Sequence, residues 1–218
     1  MNSRALRHVF GLCVVCAAVR AAEAPIDRIA DSAVWRLTNR KAELVEDAGR
    51  KAVKLDARAN DGMAWLVGSD FIEGTIDVDL RGANKPQQSF VGVALRGLNA
   101  TTYDVVYFRP FNFMNTEIER RARAVQYISM PGFPWEKLRA DSPGKYENTV
   151  NPVPDPDGWF HARVVVADRK ISVYVNDAAS PCLVVTELSE RQGGSIGLWV
   201  GNGSNGAFAN LKITPLKK

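Results

Sequence analysis

The sequence predicts an all-β protein, a two-sheet antiparallel β-sandwich of jelly-roll type. Three observations lead there. Short stretches in which apolar and polar residues alternate with a period of two recur along the chain, the mark of half-buried strands. Turn formers separate them, drawn from 17 glycines, 11 prolines and frequent Asn and Asp, residues that set the dihedrals of tight turns. No long apolar pattern of helical period intervenes, and nine strands without one fit two packed sheets.

In chain order the predicted strands are Phe71 to Leu80, Phe90 to Arg96, Tyr103 to Pro110, Ala122 to Ser129, Trp159 to Ala167, Lys170 to Asn176, Cys182 to Leu188, Ser195 to Val200 and Ala207 to Thr214. Trp159 to Asn176 reads as a hairpin: Phe160, Ala162, Val164 and Val166 alternate inward, Asp168-Arg169 turns, and Ile171, Val173 and Val175 alternate again. Along Tyr103 to Pro110, Val106 and Phe108 share the core side, which leaves Tyr103, Tyr107 and Arg109 opposite. By the same rule Trp199 opposes Ile196, Leu198 and Val200, and His161 and Arg163 oppose the apolar set of their strand. Two long loops remain, Phe111 to Arg121 and Pro131 to Asp157, the second with six prolines. Loops of that length carry function or ordered structure of their own.

The N-terminal segment has the three parts of an export signal: Arg4 and Arg7, an apolar run from Val9 to Val19, and small residues in Ala22-Glu23-Ala24. The run falls short of the roughly 20 residues that cross a bilayer, so no integral membrane span is expected. Residues 1–24 are read as a signal peptide and 25–218 as one domain, which places the mature protein in the periplasm or outside the cell. Removing Arg4, Arg7, Arg20 and Glu23 lowers the net charge from +4 to +2. Cys182 and His161 are then the single cysteine and histidine. These counts exclude an internal disulfide and a multi-histidine metal site, and near-neutrality argues against a nucleic-acid partner.

Certain stretches carry a resemblance: Ser89-Phe90-Val91-Gly92-Val93-Ala94-Leu95-Arg96, Tyr103-Asp104-Val105-Val106-Tyr107-Phe108-Arg109-Pro110-Phe111-Asn112, Arg123-Ala124-Val125-Gln126-Tyr127-Ile128-Ser129, Trp135-Glu136-Lys137-Leu138-Arg139 and Pro143-Gly144-Lys145-Tyr146-Glu147. With Gly197-Leu198-Trp199-Val200-Gly201 and Phe208-Ala209-Asn210-Leu211, they resemble exported bacterial proteins of the concanavalin A-like lectin/glucanase superfamily. Within it they are most similar to the 3-keto-disaccharide hydrolase-like group. The resemblance spans residues 70–214 and implies a carbohydrate ligand or substrate. It also implies a chemistry: a ketone at carbon 3 acidifies the hydrogen on carbon 2, a base removes it, the group on carbon 1 leaves, and water adds back. Members of the group are associated with metal assistance. Here only a hard divalent cation held by carboxylates and carbonyls is compatible with the residues.

Glu147, His161, Arg109 and Asp104 are the catalytic candidates: Glu147 or His161 for the proton, Asp104 as a second carboxylate, Arg109 for an enolate oxygen. Tyr103, Tyr107, Asn112, Gln126, Trp135, Arg139 and Tyr146 are the substrate-binding candidates, since aromatic faces receive sugar C–H groups and amides and guanidiniums bond hydroxyls. Each has a structural reading beside the functional one. The acids serve as surface or strand-edge charges, the arginines as ion-pair partners, Gln126 as a buried amide bonded to backbone, and the rings as core filler. The laminarinase pattern Glu-x-Asp-x-x-Glu is absent, as are Gly-x-Ser-x-Gly, a phosphate loop and His-Glu-x-x-His. Asp155-Pro156-Asp157-Gly158 reads as a turn. Two classes therefore stand: an enzyme acting on oxidised glycosides, and a non-catalytic carbohydrate-binding or cell-surface module.

Overall fold

A computed structural model describes residues 21–216, so most of the predicted signal peptide lies outside the described residues. The first strands are β1 (Ala22–Glu23), β2 (Trp35–Thr38), β3 (Ala42–Asp47), β4 (Arg50–Leu55), β5 (Gly62–Leu66), β6 (Gly74–Arg81), β7 (Val91–Gly97) and β8 (Tyr103–Phe108). Helix α1 (Ile118–Arg121), β9 (Val125–Met130), α2 (Trp135–Asp141) and β10 (Glu147–Asn148) come next. The chain ends in β11 (Phe160–Ala167), β12 (Lys170–Val175), β13 (Leu183–Thr186), β14 (Ser195–Val200) and β15 (Gly206–Pro215).

The strands form two antiparallel sheets. One has eight strands in the order β13-β12-β11-β6-β15-β4-β3, with β1 added along β15. The other has seven, in the order β10-β9-β8-β7-β14-β5-β2. Each of the nine predicted strands is present, with ends moved by up to three residues. The strands before Phe71 and the short β10 are additions to that prediction. The two long loops are partly ordered: a 3₁₀ turn (Pro110–Asn112) and α1 occupy the first, α2 and β10 the second. Trp135 therefore starts a helix instead of lying on an irregular loop.

Period-two alternation decides what lies between the sheets. Ile76, Val78 and Leu80 of β6 and Phe160, Ala162, Val164 and Val166 of β11 are buried on the eight-stranded side. Val93, Val106, Phe108 and Leu198 face them from the seven-stranded side, and the Phe108 and Phe160 rings meet edge to face at 5.0 Å. At the end of β7 the ladder slips: Arg96 adopts φ 55° and the pairing with β14 shifts between Ser195 and Gly197. This bulge turns the Arg96 side chain into the interior, where Nε donates to Glu187 at 2.9 Å and Nη1 to the Phe71 carbonyl at 3.0 Å.

Candidate functional site

Strand register builds the site on the outer face of the seven-stranded sheet. Glu147 pairs with Gln126, Gln126 with Tyr107, Tyr107 with Gly92, and Gly92 with Trp199, one row across five strands. Residues directly opposite in a ladder share a face, so these side chains lie together on the side turned away from the other sheet, where Glu147, Gln126, Tyr107 and Trp199 are all buried. Gly92 is required there. A Cβ would lie 2.2 Å from the Val106 carbonyl oxygen and 2.7 Å from the Tyr107 Cβ. With none present, the Tyr107 and Trp199 rings meet across it at 5.1 Å.

At the β10 end of the row a polar cluster forms. The Tyr107 hydroxyl donates to Gln126 Oε1 at 2.8 Å and accepts from Arg109 Nη2 at 2.6 Å; the same nitrogen donates to Gln126 Oε1. Arg109 Nη1 and Asn112 Nδ2 both donate to the Arg123 carbonyl, at 2.9 and 3.2 Å. Arg139, from α2, grips Glu147 with both arms of its fork, Nε at 2.9 Å and Nη2 at 2.6 Å. Arg109 and Arg123 also approach Glu147, each at 3.9 Å. The Arg139 guanidinium lies over the Trp135 ring, 4.7 Å from its centroid, and Trp135 is 40% exposed.

Burial and the neighbouring guanidiniums of Arg139 and Arg123 push Arg109 below its ordinary value, against the opposing pull of Tyr107 and Glu147. Hydrogen bonding to Glu147 pushes Arg139 up. Burial raises the Tyr107 hydroxyl to about 12, so it is a neutral donor at any physiological pH.

Arg109, Asn112, Gln126, Tyr107, Trp135, Arg139 and Glu147 thus come together. Tyr103 lies on the same face but is packed edge-on to Trp65 at 6.0 Å, its hydroxyl donating to Asp61 at 3.1 Å. Three candidates lie elsewhere. Asp104 points between the sheets, where it accepts from Tyr127 at 3.0 Å, Ser189 at 2.8 Å and Arg191. Tyr146 is buried against Tyr127, centroids 6.3 Å apart, on the face opposite Glu147. His161 sits on the outer face of the other sheet, bridging Asp79 through Nδ1 at 2.9 Å and Asp77 through Nε2 at 3.1 Å. Packed sheets lie about 10 Å apart, so His161 and Glu147 cannot address one substrate atom. Asp61 is not among the residues the sequence singles out; burial raises its carboxyl, and its place beside Tyr103 comes from the β5–β14 pairing, which nothing in its local sequence marks.

Neither the Glu147 nor the Asp79 carboxylate is open to a divalent cation. Both Glu147 oxygens are occupied by Arg139, and Asp79 is surrounded by the donors His161, Asn210 and Arg50. Among the described residues no cluster of three His, Cys, Asp or Glu side chains could hold a metal ion, and no helix is long and apolar enough to cross a membrane.

No family model and no functionally curated protein match the sequence. Solved structures do match the fold. The carbohydrate binding module CBM66 from Bacillus subtilis aligns with TM-score 0.58 at 12% identity, over 83% of this chain and 95% of that one. The exoplasmic/lumenal domain of VIP36 in its Ca2+/Man-bound form aligns with TM-score 0.59 at 15% identity, over 93% and 92%. A Bacillus licheniformis β-glucanase aligns with TM-score 0.57 at 13% identity, over 90% and 98%. The chain therefore has the jelly-roll β-sandwich of lectin-like modules and glucanases, and at these identities the likeness is one of fold.

Proposed function

We propose that this is an exported protein that binds a carbohydrate at the corner formed by Trp135, Arg139, Arg109, Gln126 and Glu147. One observation carries the reading: an indole 40% exposed stands beside the partly exposed guanidiniums of Arg139 and Arg123, which the buried Glu147, Gln126 and Arg109 back from beneath. A pyranose needs both, an apolar surface for its C–H face and rigid planar groups for vicinal hydroxyls. That a carbohydrate binding module, a mannose-bound domain and a glucanase share the fold supports it. The test is a titration of defined oligosaccharides followed by tryptophan fluorescence. Saturable quenching by at least one, lost in Trp135→Ala, is expected; no response to any would refute the reading. Mass analysis of the exported protein, expected to begin at Pro25, checks the signal peptide.

A second reading is enzymatic, and the approach of Glu147 to Arg109 at 3.9 Å favours it. In a 3-keto-glycoside, Glu147, with one oxygen released from the Arg139 fork, takes the proton from carbon 2; the electron pair moves to the ketone oxygen as an enolate beside Arg109, and its return expels the group on carbon 1, which leaves with the proton that Glu147 took. Water then adds across the double bond, its hydroxyl to carbon 1 and its proton to carbon 2. His161 has no part in this scheme. Incubation with 3-keto-glycosides, with and without divalent metal, decides it: no aglycone release under either condition removes the enzymatic reading and leaves the binding one.

A further inference from the structure

We infer that the ligand of this corner is an acidic glycan whose uronate carboxylate is received by Arg139 and Arg123 beside Trp135; the inference rests on the carbohydrate reading above and names its ligand class. Charge points there first. Three guanidiniums, those of Arg109, Arg123 and Arg139, lie within 4 Å of the single carboxylate of Glu147. The further acid within ion-pair reach of them among the described residues is Glu119, 3.9 Å from Arg123 and 88% exposed on its side chain, where water screens the pair. Arg109 is buried, yet the hydrogen bonds of its guanidinium go to neutral oxygens: the Tyr107 hydroxyl, the Gln126 amide and the Arg123 carbonyl. A buried cation whose nearest carboxylate stands at 3.9 Å is under-compensated.

Access points the same way. Arg139 and Arg123 keep 25% and 36% of their side chains exposed, whereas Glu147 keeps 6%. An arriving ligand therefore meets guanidinium edges before it meets the acid. A guanidinium recognises a carboxylate through its N–H edge; Arg139 gives Nε and Nη2 to Glu147, so the uronate meets its remaining Nη1 edge together with Arg123, whose nearest carboxylates stand at 3.9 Å. Trp135, 40% exposed beside the Arg139 guanidinium, offers an apolar surface to the pyranose bearing that carboxylate.

The experiment titrates the full protein with trigalacturonate, with its methyl ester and with a sulfated galactan oligosaccharide, by calorimetry at low and high NaCl. Trigalacturonate is expected to bind roughly tenfold or more tightly than the ester, about 1.4 kcal/mol, with the difference shrinking as salt rises. Arg139→Gln and the more exposed Arg123→Gln should each erase most of the preference, whereas Arg36→Gln, at the far edge of the same sheet, should leave it intact. Glu147→Gln, which removes the internal competitor, should strengthen trigalacturonate binding. Equal affinity for acid and ester overturns the acidic class and leaves the carbohydrate reading standing. Sulfated galactan binding as tightly, with the same dependence on Arg139, shows a site for any negative charge and overturns the uronate assignment. Binding of none of the three, together with no response to neutral oligosaccharides, overturns both.

Discussion

Arg96 and Glu187 form an ion pair with 3% and 2% of their side chains exposed. Desolvating two charges is expensive, and the pair is tolerated because Arg96 also finds the Phe71 and Gln192 carbonyls. Glu187→Ala leaves a buried guanidinium with backbone partners alone, and it is expected to cost about 3–5 kcal/mol in chemical denaturation; a loss under about 1 kcal/mol would show that water reaches Arg96. On the other outer face, His161 has a carboxylate on each ring nitrogen. Only the doubly protonated ring can donate to both. Hydrogen bonding to Asp79, then to Asp77, raises His161 above its ordinary 6.5 against the effect of burial. Although burial opposes it, Asp79 is held below its ordinary 3.8 by donors from His161, Asn210 and Arg50. A raised histidine contributes fully below 6.5 and loses that contribution as pH rises through its folded value; a depressed carboxyl contributes fully above 3.8 and loses it as pH falls. The stability gap between wild type and His161→Gln should therefore be widest between those limits, on the order of 1.5–3 kcal/mol for a hydrogen bond to a charged group, and narrow as pH rises through the folded value of the histidine. A gap that never narrows as pH is raised above 6.5 while the protein stays folded contradicts the bridge.

At the scale of strands and helices, the outer row depends on Gly92. Gly92→Ala puts its methyl against the Val106 carbonyl, a backbone atom that cannot rotate away. A loss of about 1–3 kcal/mol is expected, with a changed near-ultraviolet circular dichroism signal as Tyr107 and Trp199 separate; an unchanged spectrum would mean that β7 and β8 slide at no cost. Alternation made this row partly legible: Tyr107 and Arg109 opposite Val106 and Phe108 already share a face in the sequence. Parity also sets Asp104 with Val106, on the inner face, where its partners Ser189 and Arg191 arrive from a distant loop that no local pattern announces. For His161, parity says only that it leaves the core. It cannot say which of two sheets carries the strand, and that separates His161 from Glu147. The edge strands were hidden for another reason: β2 and β3 are largely solvent-facing, and Arg36, Glu43 and Glu46 dilute the apolar period.

For the molecule as a whole, both sheets share one core, and the N-terminus that the proposed cleavage would create can be placed against it. Cleavage after Ala24 would remove β1, whose two residues are exposed and pair with Lys212 and Ile213 on β15. The segment beyond Ala24 is anchored independently. The Pro25 carbonyl accepts from the indole nitrogen of Trp35 at 3.0 Å, and Ile29 is 2% exposed within the core cluster. Both anchors survive in the chain 25–218. The loss is a two-residue strand, the buried Ala24 side chain and two backbone bonds, Ala24 N–H to Leu211 and Ile26 N–H to the Ala24 carbonyl, both at 2.8 Å, each backbone bond contributing about 1 kcal/mol net at most sites. The 25–218 protein should therefore unfold in one cooperative transition, within about 2 kcal/mol of a chain begun at Ala21. A separate early transition, or a protein that fails to fold without Ala22 and Glu23, would mean that the β15 edge needs this strand to close and that the cut lies upstream of Ala22.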